Sequence, residues 1–258
     1  MPQIGEDDIR ELGRKHLPKK AVEALLSHAL PSLVLGTRPA RPGLGHESRL
    51  GGRPKVAPEF TWPSADGRPL CLLAVLQLAA LAADDPTGVL PRRGYLDVFF
   101  DARAPGLPVG LCPAEVFHLE HAVVDIYEER PTPAGADQYP AVAIEPVVQL
   151  SLPHPREPEL AELAERYGPK LRRFHDEYIE AAGVPRHRMF GWPDLVEAPM
   201  RPLLPKYRGA RWELLLQLDS DEELEWSWGN VGRLYLWVPR SDLRKGRFER
   251  AQLVLQTY

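Results

Sequence analysis

Three residues of this 258-residue chain are best suited to chemistry: His187, Asp219 and Asp221, because an imidazole facing a carboxylate can take up and return a proton. They are the candidate catalytic groups. No nucleophile in the sequence completes them, since there is neither a Gly-x-Ser-x-Gly elbow nor a cysteine set beside a histidine. A histidine held by a nearby carbonyl is the commoner arrangement. Asp219 and Asp221 also begin a run with Glu222, Glu223 and Glu225, where oxygen ligands can gather around a divalent cation. The run lacks the ligand order and turn glycine of an EF-hand, and charge runs of this kind usually form solvated loops. No metal is therefore assigned. Asp219 and Asp221 are the residues that would hold one, because alternate positions of an extended strand share a side.

His118 and His121 form His-x-x-His, but three residues along a strand place the rings on opposite faces, a poor geometry for one metal. Cys71 and Cys112 stand in apolar surroundings and read as small hydrophobes. No cofactor is expected, because the sequence has neither a Gly-x-x-x-x-Gly-Lys-Ser/Thr loop nor Gly-x-Gly-x-x-Gly after a strand. Aromatic residues gather around the acidic run. Trp192, Trp226, Trp228 and Asn230 are the expected binding surface, with Trp212, Tyr235 and Trp237 close by, since tryptophan is a typical interface anchor. Alternation sets Tyr235 and Trp237 on one face of their strand and Leu234 and Leu236 on the other.

The elements that must position these groups follow from periodicity. Ile9, Leu12, Leu17, Val22, Leu25 and Leu26 recur at helical spacing with a break near Pro18, which predicts an N-terminal helical arm. The proline- and glycine-rich passage 31–45 reads as a connection. From residue 46 the chain runs through one pattern twice. Gly52 and Pro54 are echoed by Gly191 and Pro193, the Leu-Gln-Leu around Gln77 by that around Gln217, and the Gly94 strand by the Gly232 strand, at offsets of 139, 140 and 138 residues. Strands from Val116 to Val124, Val142 to Leu152 and Phe248 to Gln256 complete the pattern. Between the halves, residues 157–182 carry a helical apolar stripe that Gly168-Pro169 is expected to split in two and Gly183 to end.

The expected fold is therefore α+β: a β-rich core of two similar, internally duplicated strand units, an N-terminal helical arm and a helical segment between the halves. The domains are an arm and linker over 1–45 and one domain over 46–258, whose halves 46–152 and 187–258 are joined by helices in 157–182.

Three passages resemble the YwqG-like family of bacterial proteins, a family of unknown function, and they span most of the chain beyond His46. The first runs from Leu50-Gly51-Gly52-Arg53-Pro54 through Phe60-Thr61-Trp62-Pro63 and the Leu72 to Leu78 strand to Phe100. The second is His187-Arg188-Met189-Phe190-Gly191-Trp192-Pro193. The third runs from Leu214 to Asp221, through Trp228-Gly229-Asn230 and the Gly232 to Val238 strand, to Asp242-Leu243. Where that family has a Trp-Gly-Asp step, this chain has Asn230. The resemblance implies a fold and brings no activity or catalytic residue with it.

With 32 basic against 36 acidic residues and a net charge of −4, the chain has no overall pull toward polyanions, so nucleic acid is not an expected partner. The apolar stretch from Leu70 to Ala83 is too short to span a bilayer, and no membrane partner is expected. The acidic N-terminus lacks the charge and apolar pattern of a secretory signal, which makes cytoplasmic the expected location. The function expected is a non-catalytic protein-interaction module with another protein as partner. The alternative is an enzyme, or a small-ligand or metal-binding protein, with its site between the halves.

Overall fold

Short apolar stretches bounded by glycine and proline fold as strands, fifteen of them among the described residues. The computed structural model describes residues 4–39, 47–102, 110–119, 128–183, 186–207 and 209–258. In chain order the strands begin with β1 (Leu30–Pro39), β2 (Arg49–Leu50), β3 (Lys55–Val56), β4 (Ser64–Ala65) and β5 (Arg68–Pro69). The middle of the chain adds β6 (Cys71–Gln77), β7 (Tyr95–Phe100), β8 (Gly110–Cys112), β9 (Ala114–Leu119), β10 (Glu128–Glu129) and β11 (Val142–Ser151). Last come β12 (Arg188–Met189), β13 (Trp212–Asp219), β14 (Arg233–Pro239) and β15 (Gln252–Gln256). β3 with β10 and β4 with β5 make two small ribbons, and the other eleven strands form one sheet in the order β8-β15-β14-β13-β12-β1-β11-β2-β6-β7-β9.

The two ends of that order are neighbours in sequence. β8 pairs with β15 and β9 pairs with β7, yet only Pro113 separates β8 from β9. Proline has no N–H to offer a ladder, so it is where one extended stretch can leave one partner for another. The Pro113 carbonyl accepts the Asp101 N–H instead (3.3 Å). One segment thus bridges both edges, and the antiparallel sheet is nearly closed into a barrel.

This overturns the expected α+β arrangement of two duplicated units with a helical arm. The sheet is continuous and dominates the chain. Residues 31–39, expected to be part of a connection, belong instead to a full-length strand at its middle, Leu30–Pro39, paired along all ten residues with β11. Its prolines are tolerated because β12, on its other side, reaches only Leu33 and Val34, so Pro31 and Pro39 lie clear of that ladder.

The helices are α1 (Glu6–Arg14), α2 (Lys19–Leu26), α3 (Leu78–Asp84), α4 (Ala161–Ala182) and α5 (Arg240–Leu243). The break at Pro18 is as expected, and Asp8 accepts the Gly5 N–H at the start of α1 (2.8 Å). Ile9, Val22 and Leu25 pack on Leu171, Phe174 and Tyr178 of α4, so the first two helices join a helical layer rather than forming an arm. α4 is not split at Pro169. That residue is exposed, water can take the carbonyl its ring leaves free, and the buried stripe on the opposite side holds the helix together. Gly183, at φ +76, ends it as expected. No helix among the described residues is long and apolar enough to cross a membrane.

Inside the sheet, Leu73, Leu76, Leu96, Val98, Leu216 and Leu236 belong to one buried cluster. The outer face is covered as well. Leu195, Met200 and Leu204 lie over Leu214, Tyr235 and Trp237, while Phe60 and Trp62 lie over Leu72 and Phe99. Both faces of β6, β7, β13 and β14 are therefore largely dry, and this decides where the polar residues of β13 and β14 end up.

Candidate functional site

On β13 and β14, Leu216, Leu218, Leu234 and Leu236 turn inward, so alternation sends Gln217, Asp219, Arg233 and Tyr235 outward, beneath the segment that begins at Arg186. Each is buried and each finds a partner. Asp219 accepts Nε of Arg233 at 2.8 Å on one oxygen and the Arg186 N–H at 3.1 Å on the other. The Asp219 N–H points to Nδ1 of His187 (3.1 Å), and His187 Nε2 stands 3.0 Å from Oδ2 of Asp221. Because Nδ1 accepts a backbone N–H, the ring donates from Nε2. That hydrogen bond holds the Asp221 carboxyl below the usual carboxylate range.

The three candidate catalytic residues are therefore brought together across more than thirty residues of sequence. The geometry nevertheless leaves neither nitrogen of His187 open to a substrate, and the ring is fully buried against Trp226 (centroids 5.7 Å apart). The oxygens of Asp219 and Asp221 face protein donors, Asp221 taking the Glu223 N–H on its second oxygen. Among the described residues no group of three or more histidines, cysteines or carboxylates is placed to hold a metal. The acidic run divides: Asp219 and Asp221 are inside, whereas Glu222, Glu223 and Glu225 are exposed.

Asp194 is the hub that the sequence did not reveal. Its carboxylate lies 3.2 Å from Nε of Arg186 and 2.7 Å from Nη2 of Arg188, and it accepts Nε2 of Gln217 at 2.9 Å. Its backbone carbonyl accepts Arg233 and the Tyr235 hydroxyl. Burial alone would raise the Asp194 carboxyl, but Arg188, Arg186 and Arg233 together hold it well below its ordinary value. Gln256 completes the attachment by accepting the Val196 and Glu197 N–H groups and donating to the Ala198 carbonyl. The available signal was the Arg-His-Arg triplet leading into a short strand, since charges beside buried strands are paired.

The expected surface of Trp192, Trp226 and Trp228 does not exist as a surface. Trp226 and Trp228 are 3% and 1% exposed and join the interior cluster, Trp228 packing edge-on to Phe100 (5.8 Å) and both indoles meeting Tyr139. Their aromatic area goes to the core because the 219–232 segment folds back on itself at the Asp221–Trp226 bridge. Gly232 permits this return, since a Cβ there would stand 1.8 Å from the Trp228 carbonyl oxygen. Asn230 is exposed, and its carbonyl receives the Tyr258 N–H (3.0 Å). Of the histidine pair, His118 lies on β9 and His121 falls outside the described residues, as does the 120–124 end of the expected strand. Burial pushes the Cys71 thiol up and that of Cys112 up to about 11, which keeps both protonated and poorly nucleophilic.

Trp192 has another role. It lines an open cavity of about 600 Å³ together with Trp212 and Trp237, between the end of α2, the Gly191–Pro193 turn and the starts of β1 and β13. Gly191 shapes the turn: it stands at φ +72, and a Cβ would come within 2.2 Å of the Ser151 hydroxyl. Arg201 stacks over Trp192 at 4.9 Å and pairs with Glu159 on the rim. The Trp192 and Trp212 indoles donate to the carbonyls of His28 and Pro205, whereas the buried Trp237 N–H has no acceptor among the described residues.

No curated protein matches the chain. The model of a domain-of-unknown-function family, DUF1963, matches residues 48–257, from just before β2 to the end of β15, and the chain belongs to that family.

Proposed function

We propose that this protein binds a small, ring-bearing ligand in the cavity of Trp192, Trp212 and Trp237. The observation that carries this reading is the cavity's makeup. At about 600 Å³ it is of the size that takes small molecules, three indoles supply apolar walls, and Arg201, Glu159 and Glu213 supply a few polar groups at the rim. A non-catalytic interaction module built on Trp226 and Trp228 is not favoured, because both indoles are inside. The passages quoted above also support a YwqG-like assignment within the family.

The test uses the neutral dye phenylnaphthylamine. Its fluorescence is expected to saturate at one dye per chain and to need about fivefold more protein in Trp212→Ala, where one stacking wall worth about 1 kcal/mol is lost. Leu111→Ala, on an exposed apolar side chain elsewhere, should bind as wild type does. Unsaturable fluorescence, or equal loss in both variants, would mean that the dye reports general surface and that the cavity is not a site.

A further inference from the structure

A second cavity, of about 450 Å³, lies where the loop before β7 meets the residues after α5. Arg92 and Arg93 line it from one side and Arg244 and Lys245 from the other, with His118 of β9 between them. No acidic residue lines it, and none of these four cations has an ion pair among the described residues. Four unpaired positive side chains gathered in one concavity stand out in a chain whose net charge is −4. They repel one another, and a bound anion would relieve that repulsion.

The backbone that carries them is held in place. His118 Nδ1 lies 2.9 Å from the Gly246 carbonyl and Nε2 lies 3.3 Å from the Arg93 carbonyl, so the ring sits between the two walls and, when neutral, donates to one of these carbonyls. Gly246 makes the approach possible: its φ is +64, and a Cβ would stand 2.8 Å from the His118 ring. A neighbouring trough of about 700 Å³ along β9 shares His118, Lys245 and Gly246 but includes Glu115 and Glu249, which bounds the purely basic region on that side.

We propose that this cavity binds a compact polyanion carrying two or more phosphate groups. Guanidinium forks match phosphate oxygens in bidentate fashion and lysine adds a mobile point charge, so the four side chains suit a short phosphate chain better than a single carboxylate. The same chemistry is presented by inorganic polyphosphate and by a nucleoside triphosphate. The site is separate from the tryptophan-lined cavity and does not depend on it.

The experiment is calorimetric titration of the full chain with inorganic tripolyphosphate at low salt, repeated with ATP and with citrate. Wild type is expected to bind one tripolyphosphate saturably. In Arg93→Gln/Arg244→Gln the affinity should fall by about tenfold or more, as removal of charge-assisted contacts requires. Both substituted side chains are exposed, so circular dichroism and melting should be unchanged. The control Arg14→Gln/Lys19→Gln, which removes two exposed charges from the helical layer, should bind within about twofold of wild type. ATP binding equal to tripolyphosphate would mean that the phosphate chain alone is read, and tighter ATP binding would point to a nucleoside source; both support the site. Absence of saturable binding, equal loss in the control variant, or citrate binding as tightly as tripolyphosphate would each overturn it.

Discussion

Asp194→Ala is expected to destabilise the protein by about 3–5 kcal/mol, the usual cost of removing one partner from a buried ion pair, and so to lower its melting temperature by about 6–20 °C. The variant leaves the guanidiniums of Arg186, Arg188 and Arg233 facing one another, each at most 7% exposed. It also removes one of the two acceptors of Gln217, which anchors the covering segment to β13 and keeps only the Arg186 carbonyl. Such a loss is a large part of the 5–15 kcal/mol that typically separates folded from unfolded chains. Asp194→Asn should be milder, because the amide oxygen can still accept from Gln217. Urea unfolding followed by circular dichroism measures both. A loss under about 1 kcal/mol for Asp194→Ala would mean that water reaches the arginines and that this network does not hold the cover in place.

Asp97→Asn should have the opposite sign. Asp97 lies on the outer face of β7, fully buried, with no hydrogen-bond partner on either carboxylate oxygen. Burial pushes its carboxyl up to about 7, and the charge of Arg49 offsets only part of that. Because the folded value exceeds the unfolded one, the fold favours the protonated acid. Stability is then greatest below about pH 4, declines as pH rises toward 7, and stays low above it. The full shift corresponds to about 4 kcal/mol at 1.36 kcal/mol per unit, and the amide, itself unpaired, should recover about 2–3 kcal/mol of this at pH 8.

His154 and His175 act against this trend. Burial lowers them to about 4 and about 3, helped by Arg156 for the first and by the neighbouring ring for the second, 4.6 Å away. Their contribution is present above the unfolded value of about 6.5 and is lost as pH falls toward the folded values. In wild type the two effects partly cancel between pH 4 and 6.5. The variant, lacking the first, should lose stability more steeply on acidification, and its advantage should shrink from pH 8 to pH 4. Melting curves at pH 8, 6 and 4 measure this. Lower stability than wild type at pH 8 would show that Asp97 is ionised and paired with Arg49.

Much of the fold was legible locally, and the errors have common causes. The apolar spacing of Ile9, Val22 and Leu25 and of Leu171, Phe174 and Tyr178 located α1, α2 and α4, because one buried stripe per helix is a local signal. Short apolar runs, two of them carrying one glutamine and two opened by glycine, located β6, β7, β13 and β14 in the same way. β1 was missed because Pro31, Gly36 and Pro39 read as a connection, and only its position beside a two-residue strand makes them acceptable. Trp226 and Trp228 read as surface because they follow the acidic run and tryptophan is a typical interface anchor; the return of the segment over Asp219 takes them inside.

The sequence by itself determined the strand-rich composition, the helical stripes, the inward and outward alternation of β13 and β14, and the short candidate set of His187, Asp219 and Asp221. These depend on periods of two and of about 3.6 residues, which a chain carries without reference to distant partners. Tertiary structure alone decided that one stretch through Pro113 joins both edges of the sheet and that Asp194 gathers three arginines. It alone also set Arg92 and Arg93 beside Arg244 and Lys245, about 150 residues away in the chain. Such meetings depend on which strand pairs with which and on what covers the outer face. Burial then converts a charge into a structural hub or an open cation cluster into a site, and burial is a property of the assembled chain rather than of any stretch within it.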